Sequence, residues 1–172
     1  MKYFTLMIAA LLMFAACDKD EEDQQPLADE AYMKADVNGR EVNADYKVIL
    51  QDIIFNSYAP EDSLVQFQRF VANQNPEGFF ATLHKTNLDA LNYPHTFYPS
   101  SKDVQRVDFI YYDTKNAVYT HNILDSTEFS LTINSHNSKD VIIGTFSGML
   151  YNQNRDSVNI TNGKFEIDLK KY

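Results

Sequence analysis

Few side chains in this chain of 172 residues are spaced for covalent chemistry. Ser147 lies three residues after Gly144 and one before Gly148. A nucleophile elbow needs its serine two residues from each glycine, at a turn from strand into helix, and no helical pattern follows here. His84, His95, His121 and His136 are far apart, without the short-spaced pair of a zinc helix. Acidic residues are plentiful, but none forms the alternating Asp/Asn loop closed by Glu that holds calcium. The sequence has no glycine-rich phosphate loop. Catalytic carboxylates pair in space, and nothing in the sequence nominates a pair. The expectation is a non-enzymatic domain, with no catalytic residue, metal site or cofactor assigned.

Side chains suited to binding are more plentiful. The chain has 11 Tyr and 12 Phe but no Trp. Phe is expected in the core, whereas Tyr is amphipathic and often lines binding faces. Tyr93, Tyr98, Tyr111, Tyr112 and Tyr119 are candidates for a platform that stacks on a sugar ring or pairs with a protein. His95 joins them because it sits in Tyr93-Pro94-His95-Thr96-Phe97-Tyr98. The plainer alternative is strand tyrosines with wet hydroxyls. The lack of Trp counts mildly against a dedicated carbohydrate module.

The one cysteine, Cys17, ends an unusual start. Lys2 is basic, and Phe4 to Ala16 is apolar apart from Thr5. That run is too short to span a hydrocarbon core of about 30 Å as a helix and has the form of a secretory signal. Ala15-Ala16-Cys17 resembles the lipobox of bacterial lipoproteins, with Phe14 where Leu is usual. The resemblance implies thiol lipidation at Cys17, cleavage before it and acylation of the new amino group. Two or more acyl chains anchor a protein stably, so the expected partner is the membrane. Asp18, Lys19, Asp20, Glu21, Glu22 and Asp23 follow. They can be read as a solvated tether, and they also resemble the lysine-plus-acid surface-export signal of Bacteroidota lipoproteins. Asp62-Ser63-Leu64, Asp125-Ser126-Thr127 and Asp156-Ser157-Val158 resemble the O-glycosylation acceptor of the same group, which makes Ser63, Ser126 and Ser157 candidate modification sites.

A net charge of −9 argues against nucleic acid, whose binding rests on neutralising phosphates. The expected organisation is a signal peptide over 1–16, a lipidated Cys and acidic tether over 17–31, and one β-rich domain over 32–172. Asn38-Gly39 marks a type I′ hairpin. Thr127 to Asn134 and Lys164 to Lys170 alternate cleanly between apolar and polar residues. Val48–Phe55 can be a strand or a short helix, and Ser57–Ser63 reads as a loop. Gly144 and Gly148 interrupt a long strand and suggest a bulge or close backbone approach. Asn162-Gly163 reads as a second hairpin turn. About nine or ten short strands give an all-β fold, an antiparallel β-sandwich, with a closed lipocalin-like β-barrel as the alternative.

Val37-Asn38-Gly39, Gly144-Thr145-Phe146-Ser147-Gly148 and Ile160-Thr161-Asn162-Gly163-Lys164-Phe165 together resemble a family of uncharacterised Bacteroidota lipoproteins. The resemblance implies a β-rich envelope protein and carries no active site. The functional expectation is a lipoprotein on the outer membrane, facing the cell exterior, that binds a glycan or protein. The alternative is a structural or accessory envelope protein on the periplasmic face. A glycoside hydrolase or esterase is the least favoured reading.

Overall fold

A computed structural model describes residues 31–46, 57–59, 64–72, 75–99, 105–121 and 128–171. Asn38 and Gly39 both have positive φ, 50° and 80°, and turn β1 (Tyr32–Val37) tightly into β2 (Arg40–Ala44). This is the type I′ geometry that an Asn-Gly pair favours. The other strands are β3 (Ser57–Ala59), β4 (Leu64–Phe70), β5 (Gly78–His84), β6 (His95–Phe97), β7 (Arg106–Tyr112), β8 (Val118–Thr120), β9 (Phe129–His136), β10 (Val141–Tyr151), β11 (Ser157–Asp168) and β12 (Lys170–Lys171). The helical content among the described residues is one 3-10 turn, Leu88–Ala90.

The strands form one sheet in the order β12-β3-β4-β5-β7-β8-β10-β11-β1-β2, with β9 and β6 branching from β10. Pairs are antiparallel except β12 beside β3. The sheet curls until Tyr46, just past β2, exchanges both backbone hydrogen bonds with Phe70 of β4, at 2.9 and 3.0 Å. Barrel and two-layer sandwich both describe this nearly closed all-β sheet. At the same seam the wholly buried Arg69 donates to the carbonyl oxygens of Ala31 and Gln68. β1, β4, β7 and β10 run in one direction. The turns that follow them therefore gather at one end, the upper rim, and β1 begins at the opposite end.

Three turns share one construction. Asp113, Asn137 and Asn152 each accept two backbone N–H groups, from the residues two and four positions on. Asn116, Asp140 and Arg155 then take positive φ. This is a type I turn followed by a left-handed residue, with the Asx side chain in place of missing backbone partners.

Alternation fills the interior. Phe67, Phe79 and Phe109 come from β4, β5 and β7, and Phe129, Phe146 and Phe165 from β9, β10 and β11. All six are buried. Their rings touch across the barrel, with centroids 5.2 Å apart for Phe67–Phe165, 4.6 Å for Phe109–Phe129 and 5.4 Å for Phe79–Phe146. Burying each such side chain contributes about 1.5–3 kcal/mol.

The long strands bend where glycine admits close approach. At Gly148 φ is 138°, and an added Cβ would strike the Glu128 carbonyl and Phe129. The β10–β11 register shifts between Phe146 and Gly148, in line with the bulge or close approach that glycines inside this strand suggest. Asn162-Gly163 corrects the second hairpin expectation. It lies inside the 12-residue β11 as a bulge, with Asn162 at φ 55°. Partners on both sides, β10 and β1, hold β11 as one strand there. Ser57–Ala59 is likewise a strand rather than loop, because β4 pairs with it. Val48–Phe55 lies outside the described residues.

Candidate functional site

The upper rim carries a buried acid. Glu77 precedes β5, held by its N–H on Asn75 Oδ1 (3.0 Å) and its carbonyl on Val71 N (2.9 Å). Its parity matches Phe79, so its carboxylate points inward. Tyr111 of β7 donates its hydroxyl to Glu77 Oε1 at 2.6 Å. Arg40 of β2 reaches across and donates from both terminal nitrogens to the carboxylate, and also to the Tyr111 oxygen at 3.3 Å. Burial first, then the Glu77 hydrogen bond, push the Tyr111 hydroxyl above the ordinary phenol range. Arg40's own hydrogen bonding to Glu77 raises the guanidinium pKa, against its partial burial. The three groups satisfy one another, so the cluster acts as a clamp between β2 and the β5–β7 pair.

The six candidate binding residues do not converge on one face. Tyr111 is inward and pairs with Tyr119 across β7 and β8, rings 6.0 Å apart. Tyr112 faces outward against Phe70, at 6.1 Å. Tyr93 packs on the core and donates to the Leu88 carbonyl at 2.6 Å. His95 lies edge-on to Phe97 at 4.8 Å on β6, which pairs with β9. Tyr98 is exposed. Ser157 is exposed at the start of β11. Cys17, Asp18–Asp23, Ser63 and Ser126 lie outside the described residues.

The other histidines sit toward the opposite end from the rim. His84 Nε2 lies 2.6 Å from Asp108 Oδ2, with Arg106 and the His121 ring at 3.9 and 3.7 Å from Oδ1. Burial lowers the His121 pKa, opposed by the Asp108 charge, and its buried Nδ1 has no hydrogen-bond partner among the described residues. His136 lies between Asp140 at 3.2 Å and Asp89 at 3.7 Å. Among the described residues no group of three or more His, Cys, Asp or Glu is placed to hold a metal ion.

A concave site forms where sequence reasoning proposed none, on the outward face of β2, β1 and β11. Register places Lys34 directly opposite Lys164, and Asp36 directly opposite Glu41. Like charges so placed are destabilising. Neither ammonium forms an ion pair among the described residues. Lys34 Nζ sits 5.3 Å over the Tyr32 ring. The β11 bulge turns the Asn162 amide to donate to Asp36 Oδ2 at 2.7 Å. Between them lies a shallow depression of about 220 Å³ lined by Lys34, Ala35, Asp36, Glu41, Asn162 and Lys164. The hairpin turn Asn38-Gly39 already implies the Asp36–Glu41 pairing. The lysine pairing needs the β1–β11 register, which no local signal carries.

No family model matches this chain, and no curated protein or solved structure matches it.

Proposed function

We propose that the chain is a lipoprotein of the outer membrane, anchored through Cys17 and displayed toward the cell exterior, whose β-domain binds a ligand without transforming it. The observation that carries the binding reading is the concave outward site of opposed like charges on β1, β2 and β11. The inward faces of those strands are committed to the core, which leaves the outward charges for solvent or a ligand. Geometry suits display as well. β1 starts at the end away from the rim, and residues 18–31 fully extended reach at most about 45–50 Å.

The test is fractionation with intact mass. Native protein belongs in the outer-membrane fraction, with a mass that includes lipid on Cys17, and Cys17→Ala belongs in the soluble fraction. Replacing Asp20, Glu21, Glu22 and Asp23 with Ala should trap the chain on the periplasmic side. A soluble native protein overturns the anchor, and unchanged display of the Ala variant overturns the export role. The same mass reads whether Ser63, Ser126 or Ser157 carries glycan.

A further inference from the structure

We infer that the depression at the β11 bulge binds the acidic residue of a saccharide, with the ligand carboxylate between Lys34 and Lys164 and ligand hydroxyls on Asp36 and Glu41. The inference rests on the binding reading above and names the ligand class for that site.

The two rows of charge set opposite demands. Lysine ammonium groups donate only, and ionised Asp and Glu accept only. A ligand that satisfies both rows needs an anionic acceptor at one end and neutral donors at the other. Lys34 and Asp36 are two residues apart on β1, about 7 Å along a strand, comparable with one sugar ring and its carboxylate. The depression, at about 220 Å³, falls below the roughly 300 Å³ at which sites for drug-sized ligands begin. It therefore suits a single ring of a longer chain.

Charge selects further. Two lysines opposite each other in register attract one carboxylate strongly, whereas Asp36 and Glu41 repel a second negative group. A doubly charged phosphate is disfavoured relative to a uronate or a sialic acid. The site is also pre-arranged. The Asn162 amide fixes Asp36, and the Tyr32 ring holds the Lys34 ammonium. Beyond Lys164 the same cross-strand row continues to Thr145, whose exposed hydroxyl can meet a neighbouring neutral sugar, and to Thr132, whose hydroxyl is shared with Thr96 at 2.9 Å.

The experiment is an amide NMR titration of the detergent-solubilised full chain. The probes are oligogalacturonate, a glucuronate-terminated and a sialyl-terminated oligosaccharide, a neutral oligosaccharide of equal length, and inorganic phosphate. At least one acidic sugar should bind saturably, with shifts centred on residues 34–36, 41 and 161–164. The Lys34→Gln/Lys164→Gln variant should weaken that binding at least tenfold, and Lys164→Gln alone by a smaller factor if the double variant is misfolded. Equal binding of the neutral sugar, an equal response to phosphate, or unchanged affinity in the lysine variants overturns the inference. So does failure of all three acidic sugars. If that failure occurs with the chain still at the cell surface, the anchored-display reading stands without this ligand.

Discussion

β4, β5, β7 and β8 turn Phe70, Phe80, Ile110, Tyr112 and Val118 outward, whereas β2, β1, β11 and β10 turn Glu41, Asp36, Lys34, Lys164 and Thr145 outward. In the first half, register sets Gly78 between Phe70 and Tyr112, and the two rings meet over it. In the second, lysine faces lysine and acid faces acid. β4, β5 and β7 contribute Phe67, Phe79 and Phe109 to the core, and β10 and β11 contribute Phe146 and Phe165, so both halves rest on one aromatic interior. The aromatic half gains cross-strand contact from its outward residues. The charged half sets like charges opposite one another, a cost in stability that the proposed binding role accounts for.

The largest perturbation should remove both faces together. Phe109→Ala deletes a ring that touches both halves of the core and should cost about 3–5 kcal/mol in urea denaturation. Arg40→Ala cuts the clamp that ties the charged half to the aromatic half. It leaves the buried Glu77 carboxylate without its cation and should cost about 1–3 kcal/mol. Arg40→Lys recovers part of that, because Lys keeps the charge without the two-pronged geometry.

The pH limbs report the aromatic half. Tyr111 has a raised folded pKa, so above roughly pH 10 the unfolded chain ionises first. Stability should fall as pH rises, and Tyr111→Phe should shrink that limb. His121 has a lowered folded pKa, so below roughly pH 6.5 the unfolded chain takes up a proton that the folded one resists. Stability should fall as pH drops, and His121→Asn should flatten the loss. Denaturation midpoints from pH 5 to 11 check both.

The smallest effects make the sharpest contrast. Tyr112→Ala should cost about 0.5–1.5 kcal/mol beyond its lost area. Lys164→Gln relieves the repulsion from Lys34 and should leave the melting temperature unchanged or raise it, within about 0.5 kcal/mol. A clear loss of stability in Lys164→Gln would mean that the lysine row supports the fold.

Much of the fold was legible because its signals are local. Asn38-Gly39 specifies a turn by backbone chirality alone, and the alternation of Phe165, Ile167 and Leu169 separates inside from outside. Asn162-Gly163 carries the same dipeptide and makes a bulge instead. What decides between the two is whether strands flank it on both sides, which is a tertiary fact. Tyr111 and Tyr112 were separated for a local reason. They are adjacent, and adjacent strand residues point to opposite faces. The charged site depends on pairing Lys34 with Lys164, far apart in sequence, and like charges in separate strands give no sign that they will meet.

The most direct test is labelling of Lys164 on intact cells with a membrane-impermeant amine reagent, read by peptide mass spectrometry beside a periplasmic control protein. Labelling of Lys164 to the extent seen in lysed cells, with the control unlabelled, is the predicted result. Labelling that appears only after lysis would contradict display toward the exterior, and protection in lysed cells as well would contradict an open charged face.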